Sequence, residues 1–134
     1  MDAKMIQLYY DEQGKVLYIS IEKPRPGIAD EIGNDALIRY HVDTGEIVGI
    51  TIIALRHGLD DIRYDAAADK LIIHLADGNS TERREIASNL IINFDDQPDP
   101  EPLSIEILKA GRILELEGIL RETASLPGSA NARI

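Results

Sequence analysis

The chain of 134 residues contains no cysteine, no tryptophan and a single phenylalanine. The absence of cysteine excludes disulfides and zinc–thiolate sites. No apolar run approaches the length of a membrane span. The first residues also lack the apolar stretch and small-residue cleavage site of a signal peptide. We therefore expect a cytoplasmic protein that neither crosses nor binds a membrane.

Basic residues are scarce as well. Fourteen Lys and Arg oppose twenty-four Asp and Glu, which gives a formal net charge of −10. The one basic doublet, Arg83-Arg84, lies between Glu82 and Glu85, so the sequence offers no basic patch for a phosphate backbone. We expect no nucleic-acid partner, and an acidic surface of this kind favours a basic protein partner.

Hydrophobic residues make up 44% of the chain, enough to bury a core at this length. Since aromatics are few, that core must consist mostly of Ile, Leu and Val. β-Branched residues favour strands over helices. The composition therefore predicts one compact, mainly β domain.

The apolar pattern occurs twice. The string "YDEQGKVLYISIE" at residues 10–22 aligns with "YDAAADKLIIHLA" at residues 64–76, and the apolar positions agree nearly throughout. Internal similarity of this kind predicts a repeated structural unit. We interpret residues 1–58 as a first β-meander repeat and residues 59–111 as a second.

Each unit is predicted to contain four strands, because apolar residues alternate with polar ones. In the first unit these strands cover residues 5–10, 16–22, 36–42 and 47–53. The third strand would point Val42 inward and His41 outward. Asp43 and Gly45 fit a tight hairpin turn. The proline-containing stretch 23–35 is interpreted as an extended loop.

After the second unit, apolar residues recur at helical spacing, which predicts a helix over residues 112–125 followed by a flexible tail, residues 126–134. The predicted fold is two four-stranded antiparallel meanders related by a pseudo-twofold axis, plus this helix. A four-stranded meander with one apolar face is marginal alone. We expect the two apolar faces to pack together, and a continuous sheet is the competing geometry.

The first unit resembles a small family of prokaryotic domains of unknown function, and the residues that carry this resemblance are the strings "YD", "VLYI", "IRYHVD" and "GEIVGITII". The resemblance is closer over residues 5–56 than over residues 62–110, where Ile72 replaces Tyr18. Because the family has no established activity, the resemblance implies no catalytic residues. Some members look like the smaller half of toxin–antitoxin modules, which implies a binding role.

No catalytic constellation or cofactor motif is found, and the histidines show neither HxH nor HxxxH spacing. His41, His57 and His74 are interpreted as solvated surface residues. The acidic stretch 95–106 has oxygen-bearing side chains at calcium-loop spacing, but Pro100 stands where the sharp turn needs glycine. We interpret it as an acidic hairpin loop.

Tyr18, Arg39 and His41 are predicted to share an outward strand face and are the candidate interaction surface, since exposed aromatics and arginine are enriched at interfaces. The sequence therefore favours a non-enzymatic module that binds another protein or itself, with an antitoxin-like role as the narrower version. The alternative is a small-molecule or metal-binding enzyme with its site between the two repeats.

Overall fold

The computed structural model describes residues 4–23 and 25–118. The first five strands of the chain lie in the first sheet: β1 (Ile6–Asp11), β2 (Val16–Ile21), β3 (Ile28–Gly33), β4 (Ala36–Tyr40) and β5 (Ile47–Ile52). The second sheet contains β6 (Ile62–Asp65), β7 (Lys70–His74), β8 (Ser80–Ala87), β9 (Leu90–Asp95) and β10 (Pro102–Leu108). A 3-10 turn, Gly58–Asp61, connects the two sheets. A short helix α1 (Ala110–Ile113) leads to β11 (Leu114–Gly118), which returns to the first sheet.

The two sheets have the same strand order. The first runs β1-β2-β5-β4-β3 and the second β6-β7-β10-β9-β8, with β11 added beside β1 in parallel. The prediction of a mainly β protein is confirmed. The prediction of four-stranded meanders is wrong, because each unit supplies five strands and its last strand lies in the middle of the sheet.

Two of the strands that the sequence missed, β3 and β8, are edge strands at equivalent positions of the two sheets. β3 lies inside the stretch that was interpreted as a loop, and most of its side chains are exposed. β8 is also largely exposed, and the four residues 82–85 in its middle are all charged. Charged edge strands resist unwanted pairing with other chains. Neither strand has a fully buried side chain, so both lack the alternation from which the other strands were predicted.

One hydrophobic core joins the two sheets. Inward residues of β1 and β2 belong to the same buried cluster as inward residues of β7 and β10; they include Leu8, Ile19, Ile73 and Ile105. All four are fully buried. The two apolar faces therefore pack against each other as separate sheets, and the competing continuous sheet is not formed. Burial of each such side chain contributes about 1.5–3 kcal/mol, so this shared core stabilises both units.

Val42 does not point inward as predicted, because it is 66% exposed. β4 ends at Tyr40, and the hairpin turn begins with His41, whose amide donates to the carbonyl of Glu46. A register shift after Arg39 also changes the pairing at the start of β5. The strand is therefore shorter than the apolar alternation suggested.

The helix predicted over residues 112–125 is also corrected. The helix covers only Ala110–Ile113, and residues 114–118 form β11 with Leu114 opposite Ile6 in register. The segment "LELEG" alternates apolar and acidic residues, and the free edge of β1 supplies the hydrogen-bond partners that a strand needs. Residues 119–125 and the predicted tail, residues 126–134, lie outside the described residues. Within the part of the chain that the structure describes, no helix is long and apolar enough to span a bilayer.

Candidate functional site

The outer face of the first sheet carries an exposed row of side chains, which we call the tyrosine face. Tyr9, Tyr18, Thr51 and Leu37 lie side by side across β1, β2, β5 and β4. Tyr9 is 45% exposed and Tyr18 37% exposed, and their ring centroids are 6.0 Å apart with a tilt of 34°. This geometry lies within the range of favourable aromatic pairs. The row therefore presents a preformed aromatic surface to solvent.

Arg39 lies on the same outer face as Tyr18, but most of its hydrogen-bonding capacity is already used. Its guanidinium passes over Gly49 and donates to the carbonyls of Arg25 (3.3 Å) and Ile19 (3.4 Å) and to the hydroxyl of Ser20 (3.3 Å). Burial lowers the pKa of Arg39 below its ordinary value, while Tyr18 acts weakly in the opposite direction. Arg39 therefore connects β4 to β2 and to the loop before β3, and it borders the tyrosine face.

His41 does not join this face. It begins the hairpin turn, where its Nδ1 accepts a hydrogen bond from the Asp43 amide at 3.3 Å and its carbonyl accepts one from Gly45 at 2.8 Å. The structure thus brings together two of the three predicted residues, and it adds Tyr9. The sequence contained the necessary signal, because inward Leu8 and Tyr10 require outward Tyr9, and hairpin pairing then sets Tyr9 opposite Tyr18.

The outer face of the second sheet carries a buried carboxylate instead. Glu106 on β10 is 7% exposed and lies between Ile72 and Ile91 in the neighbouring strands. Lys70 Nζ (3.1 Å) and Arg83 Nη2 (3.2 Å) donate to its Oε1. We call this group the Glu106 cluster; it comprises Glu106, Lys70, Arg83 and Asn93.

Asn93 completes the cluster by donating from Nδ2 to Glu106 Oε2 at 2.6 Å and to Ser104 Oγ at 3.0 Å. Burial by itself would raise the pKa of Glu106. The hydrogen bonds from Asn93, Arg83 and Lys70 and the Lys70 charge outweigh burial and lower the pKa from 4.5 to about 2. The carboxylate is therefore ionised and saturated with donors, which favours a structural role over acid–base chemistry.

The two outer faces differ at equivalent positions. Where the first sheet has Tyr18 beside Thr51, the second has Ile72 beside Glu106, and Asn93 takes the place of Arg39. The aromatic surface thus belongs to the first sheet alone. Any partner that recognises the tyrosine face would not find a second copy of it on the other sheet.

Two side chains of the calcium-loop pattern, Asp95 and Glu106, have other partners in the structure. Asp95 Oδ1 accepts hydrogen bonds from the backbone amides of Gln97 and Glu101, both at 3.2 Å, and so stabilises the hairpin loop. Glu106, the last residue of the pattern, is bound to its own cations. Among residues 4–23 and 25–118, no group of three or more His, Asp or Glu side chains is arranged to hold a metal ion.

His57 forms a local pair with a buried acid. Asp61 is 8% exposed, and its two carboxylate oxygens contact the His57 backbone amide (2.9 Å) and His57 Nδ1 (3.0 Å). Both contacts close the 3-10 turn between the sheets. Asp61 thereby fixes the connection between the two units, and the imidazole of His57 remains largely exposed.

A cleft of about 410 Å³ opens between the two sheets at one end of the molecule. Its walls come from the start of β5 and the end of β2 on one side and from the β8–β9 turn on the other. Apolar residues dominate the lining, and Lys4 and Glu46 are its charged members; the full set is Lys4, Ile21, Gly45, Glu46, Ile47, Ile86, Ala87 and Ser88. A volume of this size is typical of small-molecule pockets.

Comparison with known proteins found a sequence family to which the second sheet is similar. Residues 61–110 match the profile of a family described as "Protein of unknown function (DUF2283)", and this range contains all five strands β6 to β10. The second half of the chain is therefore similar to a small domain of unknown function. The resemblance predicted from the sequence was closer over residues 5–56, whereas the match falls on the second unit. No curated protein and no solved structure gave a match to the chain.

Proposed function

We propose that this protein is a non-enzymatic module that binds another protein through the tyrosine face. The observation that carries the proposal is the exposed pair of Tyr9 and Tyr18 on a rigid, well-packed sheet. Tyrosine supplies a large contact area at low conformational cost, and it is enriched among residues that dominate binding energy. Arg39 adds a fixed cationic neighbour.

The preferred partner is basic. With a net charge of −10, the protein attracts a cationic protein at long range and accelerates the encounter. An antitoxin-like role, in which the module covers a basic toxin, is the narrower form of this proposal. It is supported by charge and by the family resemblance. Self-association through the same face is the competing form, and light scattering distinguishes the two because only self-association doubles the mass of the purified protein.

The test is recovery of a partner from the native cell with a tagged protein and two variants. Tyr9→Ser with Tyr18→Ser should abolish recovery of a stoichiometric partner. Tyr64→Phe is the matched control, because it changes a tyrosine whose hydroxyl is bound to Asp69 on the second sheet. If the double variant recovers the same partner in the same yield as the unchanged protein, the tyrosine face is not the binding surface.

A second proposal concerns the origin of the fold, namely that the two units are tandem copies related by a pseudo-twofold axis, each with a "YD" pair and the same alternating apolar positions. The identical strand order of the two sheets and the equivalent positions of β3 and β8 support it. A single-unit member of the family should then form a homodimer with the same sheet-on-sheet core. A crystal structure of such a member as a monomer with an uncovered apolar face would contradict the proposal.

The alternative function is an enzyme that acts on a small molecule between the two units. The inter-sheet cleft favours it, and Lys4, Glu46 and Ser88 would be the groups available for chemistry there. A thermal-shift screen with nucleotides and divalent metals distinguishes this alternative, since a bound ligand stabilises the folded state.

A cytoplasmic location also remains part of the proposal, and cell fractionation tests it.

A further inference from the structure

The two ends of the sheet-on-sheet interface are equivalent in topology but differ in packing. At one end the β3–β4 turn of the first sheet meets the start of β10. At the other end the β8–β9 turn of the second sheet meets the start of β5, and the inter-sheet cleft lies there. A tandem fold with equal packing would close both ends or neither.

The first end is closed by direct contacts. Asn34 Nδ2 donates to the carbonyl of Pro102 at 2.8 Å. The side chain of Glu101 covers Gly33 so closely that an added Cβ would lie 2.9 Å from Glu101 Cγ. These contacts leave no space between turn and strand.

The second end remains open for reasons that the local sequence explains. Ser88 takes the place of Asn34, and its shorter side chain is exposed. Both central residues of the first turn, Asn34 and Asp35, have positive φ values (49° and 62°), whereas in the second turn only Asn89 does (64°). The two turns therefore have different backbone conformations, and this difference leaves the inter-sheet cleft open at the second end.

The cleft has an apolar floor and a charged rim. Ile21, Ile47, Ile86 and Ala87 provide the floor, and an apolar group placed on them would leave water. At the rim, Lys4 Nζ lies 3.5 Å from Glu46 Oε2. The rim thus presents one cation and one anion side by side.

The surrounding charges balance. Arg25 Nη2 donates to the other oxygen of Glu46 at 2.9 Å, and Lys4 Nζ also lies 3.8 Å from Glu22 Oε1. The pKa of Glu46 is lowered first by the Arg25 hydrogen bond and then by the Lys4 charge, which keeps the carboxylate ionised. Two cations and two anions give the rim no net charge. An anionic ligand would face Glu46, and a cationic ligand would face Lys4.

We propose that the cleft binds a free apolar α-amino acid of the size of leucine or phenylalanine. The ligand's carboxylate pairs with Lys4, its ammonium group pairs with Glu46, and its side chain lies on the isoleucine floor. A zwitterion matches both rim charges at once and replaces the contact between Lys4 and Glu46. This inference does not depend on the tyrosine face.

The test is a titration of the full chain followed by amide NMR shifts. L-Leucine should produce saturable shifts confined to the cleft residues, with a dissociation constant of about 1 mM or tighter. 4-Methylpentanoate, which lacks the ammonium group, and isopentylamine, which lacks the carboxylate, should each bind about tenfold more weakly. Absence of saturable shifts with leucine and phenylalanine up to about 20 mM would overturn the proposal. Equal affinity for all three ligands would do so as well.

Two variants and two controls assign the effect to the cleft. Ala87→Leu should abolish binding by filling the floor. Lys4→Gln changes an exposed side chain and should weaken leucine binding about tenfold while the fold persists. Glu101→Gln, at the closed end, should leave the affinity unchanged, and so should Tyr18→Ser, which tests the protein-binding proposal separately. Unchanged affinity in both Ala87→Leu and Lys4→Gln would place the bound amino acid elsewhere and refute the assignment.

Discussion

Replacing Glu106 by glutamine should remove a part of the folding stability that depends on pH. The carboxylate of Glu106 is almost completely buried, and donors from three side chains surround it. Glutamine keeps the shape and can still accept a hydrogen bond from Asn93. Its amide group, however, would point donor hydrogens toward Lys70 or Arg83. The variant therefore separates the charge of Glu106 from its volume.

The size of the contribution that ionised Glu106 makes to folding stability follows from its pKa. The folded-state pKa of Glu106 is about 2, compared with an ordinary value of 4.5. A depressed pKa contributes stability that is fully present well above pH 4.5 and is lost as the pH falls through about 2. By this linkage the ionised group stabilises the fold by at most about 3 kcal/mol at pH 7, by about 1 kcal/mol at pH 3 and by almost nothing at pH 2.

The assay is urea unfolding followed by far-ultraviolet circular dichroism, since the chain has no tryptophan to report by fluorescence. The unchanged protein and Glu106→Gln are compared in steps from pH 7 to pH 3. We expect their difference in unfolding free energy to shrink as the pH falls. Glu31→Gln, on the exposed edge strand β3, is the control and should change stability by less than about 0.5 kcal/mol at every pH.

A difference that stays constant between pH 7 and pH 3 would refute this reasoning. It would mean that glutamine costs stability through packing or hydrogen-bond geometry and not through the lost charge. A variant as stable as the unchanged protein at pH 7 would show that burial of the carboxylate cancels the gain from Lys70 and Arg83, as happens for some buried ion pairs.

Two further substitutions test the packing of the first sheet and the connection between the sheets. Gly49→Ala should lower the unfolding free energy by about 1–3 kcal/mol, because the new methyl group would overlap the backbone of β2 and the guanidinium of Arg39; thermal unfolding measures this, and an unchanged melting temperature would contradict it. Asp61→Ala should cost about 1–2 kcal/mol by removing both contacts to His57 in the 3-10 turn; His57→Ala removes only the side-chain contact and should cost less, so equal losses would argue against the backbone contact.

The predicted strands and the observed ones agree best where one face is buried. β1, β2 and β5 were found because their apolar residues alternate, and their observed bounds differ by one residue or less from the prediction at each end. β3 and β8 were missed because edge strands with exposed side chains show no such alternation. Residues 114–118 were assigned to a helix because the spacing of apolar residues over so short a stretch fits both the helix period and the strand period. The free edge of β1, with which these residues pair, decides for the strand.

The candidate sites likewise consist of residues that the sequence identified and residues whose meeting depends on the tertiary structure. Tyr18 was identified as an outward aromatic residue, and Tyr9 follows once the register of the first hairpin is known. The Glu106 cluster was not predicted, because Lys70, Arg83 and Asn93 lie on three other strands, and their meeting depends on the sheet order. The inter-sheet cleft was expected only as a general location between the units. Its open end depends on the conformation of the β8–β9 turn.

The sequence by itself determined that the protein is a β protein with an aliphatic core, an acidic surface and the apolar alternation from which most of its strands follow. These are local properties, because an apolar residue at every second position is enough to indicate that one face of a strand is buried. Only the tertiary structure decided which strands are neighbours, that β11 returns to β1, and that Glu106 meets two cations. These contacts join residues far apart in the chain, and their formation depends on register and packing, which no short stretch of sequence encodes.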